Sequence, residues 1–294
     1  MPGAGAVRAI RDRMRAVSNT AKVTRAMELV AASKMRRAQD RALQSRPYAE
    51  RMRAVLAQLS GYTVGADPDE LNPLLQQRTV KHFAIIHITA DRGLAGGLNT
   101  NMNRAAASLV LEHQPNVESV SVLPVGRKGR DFFRRSGFPI IAEFTNLGDF
   151  PSSTDVFPIA RIVIDDYIRG ELDQVYVAYQ QFVNAAVQRP VLRQILPVQA
   201  PEGAEARGTD FIFEPSPAQL LETLLPRYVE MQIYEAVLEA RASEQSARMV
   251  AMRQATDAAD EMVSELTLTY NKARQEMITS ELLDIVGGTA ALNA

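Results

Sequence analysis

Apolar residues recur every three and four positions over two long stretches of this chain, one near each end. In the first stretch they fall at Val7, Ile10, Met14, Val17 and Ala21, with Thr24 at the next position of the spacing, then at Ala31, Met35, Ala38 and Ala42, and again at Met52, Leu56 and Leu59. In the second they fall at Leu224, Tyr228, Met231, Leu238, Ala242, Met249, Met252, Ala259, Val263, Leu266, Tyr270, Ala273 and Met277. A repeat of 3.5 residues marks a coiled-coil seam rather than the stripe of an ordinary surface helix. At about 1.5 Å per residue the two helices come to roughly 80 and 100 Å. That is more than a globular domain of this size requires, so the pattern points to a shaft with a mechanical role. Pro47 predicts an interruption or a kink near Gln44–Pro47. Ser216, Pro217 and Gln219 predict a capped start for the second helix, Pro226 an early kink, and Gly287-Gly288 its stop.

Between the two stretches the period changes. Gly61 to Pro73 reads as a loop. Strands are predicted at Lys81–Thr89, Val117–Val125, Pro139–Phe144, Gln174–Val183 and Val191–Val198. Helices are predicted at Asn101–His113, Lys128–Arg135 and Asp155–Arg169. Alternating strands and helices predict a small Rossmann-like sheet with helices against it. The expected fold is thus an α/β domain inserted between two terminal helices, with boundaries at 1–60, 75–210 and 211–294.

Composition narrows the chemistry. The chain has 294 residues, a net charge of −1, 46% hydrophobic residues and no cysteine. Disulfides, thiol nucleophiles and cysteine metal sites are excluded. The three histidines, His82, His87 and His113, show no metal-ligand spacing. No apolar run approaches the roughly 18 residues that a membrane span needs. The Arg-rich start resembles a mitochondrial presequence, but Asp12 and Glu28 interrupt it and its stripe continues in phase to Leu59, so it reads as part of the mature helix. Charge is unevenly placed: Val7–Leu59 holds 13 Lys and Arg against 4 Asp and Glu, and Ala218–Val286 holds 6 against 12. Helices of opposite sign can pair with each other, and an exposed basic face can meet an acidic partner. Nucleic acid is not an expected partner, because no recognition motif or aromatic interleaving accompanies the basic face.

The most enzyme-like stretch is Thr89-Ala90-Asp91-Arg92-Gly93-Leu94-Ala95-Gly96-Gly97-Leu98-Asn99, placed between a strand and a helix as a phosphate loop would be. It lacks the Gly-Lys-Ser/Thr ending of a P-loop, and Gly93, Gly96 and Gly97 do not fit G-x-G-x-x-G. The other reading is a tight turn needing positive φ, held by Asp91 and Arg92. Asp165 and Asp166 are adjacent on a helix, so they diverge by about 100° and read as a solvated face. Gly126-Arg127-Lys128-Gly129-Arg130 reads as a helix start more than an anion site. Neither a nucleophile–base pair nor a metal cluster emerges, so no catalytic, cofactor-binding or metal residue is expected.

Three segments together carry a family signature. They are Ile10–Met35, containing Asn19-Thr20-Ala21-Lys22-Val23-Thr24-Arg25-Ala26-Met27-Glu28; the loop Asp91–Asn99; and Ser243–Thr256 continuing through Tyr270–Gln275 and Ile278–Leu282. In this order and over nearly the full chain they resemble the γ subunit of F-type ATP synthases. The resemblance implies an antiparallel left-handed coiled coil standing inside a hexamer of α and β subunits, one copy per three αβ pairs. It further implies an α/β foot that meets the ε subunit and the membrane ring of c subunits. The implied function is that of the central rotary shaft, coupling proton-driven ring rotation to ATP synthesis at the β subunits and to the reverse hydrolysis. The shaft itself binds no cofactor. It would lie at the cytoplasmic face of a bacterial membrane as a peripheral protein. The resemblance assigns Arg274, Gln275, Thr279, Met27, Lys22 and Arg25 to contacts with β and the upper bearing. It assigns Phe211, Phe213 and Glu214 to contacts with the c ring and ε. The family often has Tyr at the positions of Phe211 and Phe213, and Ser and Cys at those of Ala90 and Ala95. The regulatory cysteine pair of photosynthetic relatives has no counterpart, so no redox control is expected.

Overall fold

The computed structural model of the chain describes residues 4–60, 71–199, 214 and 216–292, without the side chains of 4, 46, 60 and 290–292. These fall into two compact units, Met1–Val30 with Met249–Ala294, and Ala31–Arg248. Five α-helices are described: α1 (Ala4–Ser60), α2 (Leu98–His113), α3 (Arg127–Arg135), α4 (Ser153–Ile168) and α5 (Pro217–Leu292). Four strands complete the set: β1 (His82–Ile88), β2 (Ser119–Val125), β3 (Gln174–Phe182) and β4 (Gln188–Leu196).

The first unit is an antiparallel helix pair. Its order follows from the contacts: Arg11 of α1 reaches the Tyr270 hydroxyl of α5 at 2.9 Å, and Arg25 pairs with Asp260 at 2.9 Å. Val7, Ala21 and Thr24 of α1 and Met252, Thr256, Ala259 and Ala273 of α5 are buried, and they keep the 3.5-residue spacing that the seam requires. At its middle the Thr24 and Thr256 hydroxyls lie 2.7 Å apart, with further contacts to the Ala21 and Met252 carbonyls. Every hydroxyl proton therefore has an acceptor, as burial demands.

The second unit is the α/β body with the remainder of both long helices. Its sheet has the order β2-β1-β3-β4. β1 runs parallel to β2 and to β3, and β4 returns antiparallel to β3 through a turn at Asn184 whose Oδ1 accepts from Ala186 N and Val187 N. Alternate residues of β1 feed two cores. Phe83 and Ile85 pack with Met102, Ala106 and Val110 of α2 and Phe133 of α3. Ala84, Ile86 and Ile88 face the cluster built from α4, from Met52, Leu56 and Leu59 of α1, and from Leu221 to Ala240 of α5. β1 is buried on both faces, which explains its mostly apolar run, broken only by the buried His87 between Phe83 and Ile88.

The structure corrects several expectations. α1 is not interrupted at Gln44–Pro47: it runs unbroken, and burial stays in phase across the proline at Ala38, Ala49, Met52, Leu56 and Leu59. α5 does not stop at Gly287-Gly288 but continues to Leu292, because neither glycine adopts the positive φ that turns a chain out of a helix. Pro139–Phe144 is not a strand; it makes two isolated bridges to β2, Val122 with Ile140 and Val125 with Phe144. Pro124 explains this. Its carbonyl faces outward and accepts Phe144 N at 3.0 Å, but it has no N–H to return, so the ladder breaks. Asp166 is not on a solvated face. It is buried beside Arg169, and burial pushes its carboxyl above the usual range while Asp165 stays exposed.

Candidate functional site: a glycine loop clamped to the C-terminal helix

The loop after β1 is built around Asp91. One carboxylate oxygen accepts Arg127 N at 3.0 Å and the other accepts Asn146 N at 3.1 Å. Lys128 N donates to Ala90 O, and Gly129 N to Thr89 Oγ1 at 2.8 Å. The first amides of α3 are thus capped by the loop itself, and Asp91 supplies the negative charge that a helix start favours. Gly126-Arg127-Lys128-Gly129-Arg130 is therefore a helix start, as read. Its glycines are required on steric grounds. A Cβ at Gly126, where φ is +111°, would come 2.1 Å from Thr89 O, and one at Gly129 would come 2.5 Å from the His87 ring.

Positive φ does occur in the loop, but at Leu94 (+60°) and Gly96 (+55°) rather than at Gly93 or Gly97. Leu94 is a non-glycine residue held in the left-handed region while 62% exposed. Arg92 is exposed too, so it does not hold the turn in the way Asp91 does. Its charge is felt at Asp149. There burial pushes the carboxyl upward, but the hydrogen bond and charge of Lys34, with the charges of Arg241 and Arg92, outweigh it and leave the group below its ordinary value.

What the sequence pattern did not reveal is the partner of this loop. Residues 241–246 of α5 are buried on every side. Glu244 accepts Arg241 Nη1 and Arg248 Nη2, both at 2.7 Å. Arg241 lies 3.7 Å from Asp91, and Arg248 donates to Gly93 O at 3.4 Å. Ser243 donates to Gln180 O at 2.9 Å, Ser246 to Ala185 O at 2.7 Å, and Gln180 to Leu98 O at 3.0 Å. The sequence held no signal for this: Arg241, Glu244 and Arg248 stand three and four apart, the spacing of ordinary surface ion pairs.

This packing decides what the loop can do. β1 connects to β2 on one side, and the chain then crosses to β3 on the other, so the crevice at the carboxyl ends of β1 and β3 is the switch point where α/β folds take ligands. Here α5 fills that position through Ser243 on β3 and Arg241 and Arg248 on the glycine loop. Among the described residues, groups of His, Asp and Glu that could hold a metal do not occur.

The residues assigned by resemblance belong to elements other than this loop. Lys22, Arg25, Arg274, Gln275 and Thr279 are exposed on the helix pair of the first unit, Met27 is half-buried, and the Thr279 hydroxyl donates to Gln275 O at 2.9 Å. Glu214 is exposed; Phe211 and Phe213 lie outside the described residues.

Comparison with known proteins agrees over nearly the full chain. The family described as ATP synthase matches residues 6–292. The ATP synthase gamma chain of Dehalococcoides mccartyi is 54% identical over 286 residues, 97% of this chain and 99% of the relative. That of Roseiflexus castenholzii is 50% identical over 286 residues, 97% and 98% of the two chains. Among solved structures, a chain from the central stalk and c ring of the Tetrahymena thermophila mitochondrial ATP synthase aligns with a TM-score of 0.59 and 26% identity, covering 79% of this chain and 99% of that one. A chain of the Euglena gracilis mitochondrial ATP synthase aligns with a TM-score of 0.70 at 21% identity, covering 99% and 95%, and shows the same fold. Two long terminal helices around a four-stranded sheet are the architecture of these stalk subunits. The chain belongs to the gamma-chain family of F-type ATP synthases.

Proposed function

We propose that this chain is the rotating coupler of its synthase: the c ring turns it, and it drives each β subunit in turn through binding, synthesis and release. The carrying observation is the helix pair of the first unit. Its seam is closed by its own small residues, while Lys22, Arg274, Gln275 and Thr279 are exposed, as is Arg25 although it pairs with Asp260. An Arg fork beside a Gln suits an acidic loop on β. In this role residues 1–60 and 211–294 carry the contacts with α and β, and residues 75–210 form the foot toward ε and the c ring, with Glu214 at that face. The complex, not this chain, meets the membrane; none of the helices among the described residues is long and apolar enough to cross it.

A coupler must interact differently with the successive conformations of β, since only differential contact shifts their populations. It needs no catalytic site, and a nucleotide enzyme built on the glycine loop is disfavoured because α5 fills the switch-point crevice. Arg274→Ala or Gln275→Ala is expected to lower proton-driven ATP synthesis by about fivefold or more, the scale of one coupling contact, and to leave the fold unchanged. The check is synthesis in reconstituted vesicles; wild-type rates in both variants would remove these residues from the coupling path.

A further inference from the structure

Residues 241–248 of α5 carry a closed set of charges that a helix seam does not need. Arg241, Glu244 and Arg248 have side chains only 8%, 8% and 11% exposed, and Asp91 opposite them is 14% exposed. Two guanidiniums and two carboxylates balance. Glu244 is gripped from both directions along the helix, at 2.7 Å on each oxygen; Nη2 of Arg241 lies 3.7 Å from Asp91, and Nη2 of Arg248 also donates to the Gly93 carbonyl. Asp91 in turn ties α3 and the segment at Asn146.

Buried ion pairs of this kind contribute little net stability, because desolvation offsets their attraction; apolar side chains of similar volume would serve as well or better. What they supply is position. A slip of α5 by one residue turns it by about 100° and would leave buried charges facing apolar neighbours. An apolar contact has no such directionality.

We propose that Arg241, Glu244 and Arg248 form a positioning clamp, which fixes this segment of α5 in height and rotation against the glycine loop, so that the sheet and α5 turn as one body under load. Leu94 and Arg92, at the outer side of the same loop, are thereby held at a set angle to the helix. The inference rests on the coupling role proposed above and assigns positioning residues to it.

The test uses the assembled synthase in vesicles, with the triple variant Arg241→Met/Glu244→Leu/Arg248→Met and the single variant Glu244→Gln. Two quantities are read: the thermal unfolding of the complex, and the ratio of proton-driven synthesis to ATP hydrolysis. The clamp predicts unfolding at or above the wild-type temperature in the triple variant, with a synthesis-to-hydrolysis ratio lowered by about tenfold, within the range of measured couplings between sites. A wild-type ratio at wild-type stability overturns it, because a merely structural network would then have been replaced without loss. Should the triple variant fail to assemble, Glu244→Gln decides alone. It keeps the shape and removes the charge, so a lowered ratio supports the clamp and a wild-type ratio overturns it. Amide exchange at residues 93–99 is expected to quicken in either variant; unchanged exchange counts against the clamp. Absence of coupled synthesis in the unmodified chain would instead defeat the coupling role itself, and is told apart because it appears with the clamp intact.

Discussion

Asp91 holds three elements with one carboxylate: the start of α3 through Arg127 N, the segment at Asn146 through its backbone amide, and Arg241 of α5. Asn at this position keeps one acceptor but turns its amide toward a backbone N–H and gives up the charge. Asp91→Asn is expected to cost about 2 kcal/mol, the scale of a hydrogen bond to a charged group; urea unfolding of the purified protein measures it, and a cost near zero would contradict the account. His87 makes a pH prediction. It is fully buried between Asn103, to which its Nε2 bonds at 2.8 Å, and Phe133, and its Nδ1 has no hydrogen-bond partner among the described residues. Burial lowers its pKa from 6.5 to about 4, and the Asn103 hydrogen bond opposes this only in part. The folded pKa lies below the unfolded one, so between these values the unfolded chain binds more protons and stability falls as pH drops from 6.5 toward 4. From pH 7 to 5 this amounts to about 2 kcal/mol. His87→Gln should lose that part of the acid sensitivity; an unchanged difference between urea titrations at the two pH values would refute the assignment.

At the scale of elements, the seam is the best test of what a sequence shows. Thr24 and Thr256 face each other across the helix pair with hydroxyls 2.7 Å apart. The chain has no cysteine, so Thr24→Cys with Thr256→Cys places two thiols at bonding distance with nothing to compete. One intramolecular disulfide is expected on mild oxidation, seen as a shift on a non-reducing gel; two free thiols remaining would mean that the register is wrong. The seam positions Ala21, Thr24, Met252, Ala259 and Ala273 were legible from the 3.5-residue repeat, whereas Thr256 and the pairing across the seam were not, because a repeat on one helix does not say what it faces on the other. The sheet was legible from its own pattern: β1 reads as a strand because both of its faces are mostly apolar. Other features resisted reading. Pro47 carries a local signal for a break, yet α1 packs on both sides of it, and packing outweighs one missing hydrogen bond. The segment 139–144 has strand composition, but whether it pairs depends on Pro124 in another strand. Arg241, Glu244 and Arg248 look like surface ion pairs at spacings of three and four. Only the approach of a loop some 150 residues earlier buries them, and no local pattern encodes that approach.

For the whole molecule, the account joins two facts. The helix pair closes its seam on itself and shows its charged and amide side chains to the outside. The glycine loop, which could have cradled a ligand, is occupied by the chain's own C-terminal helix. Both fit a part that moves others rather than one that reacts. Family membership follows from 54% identity over 97% of the chain, and the coupling role is what that membership and these surfaces support. The most direct test is to watch the chain turn. Ser108, exposed on α2, can be changed to the chain's single cysteine and attached to a bead, with α and β subunits fixed to a surface. The account predicts that the bead turns in one direction while ATP is hydrolysed and stops when ATP is exhausted; steady hydrolysis by the same complexes with a stationary bead would contradict it.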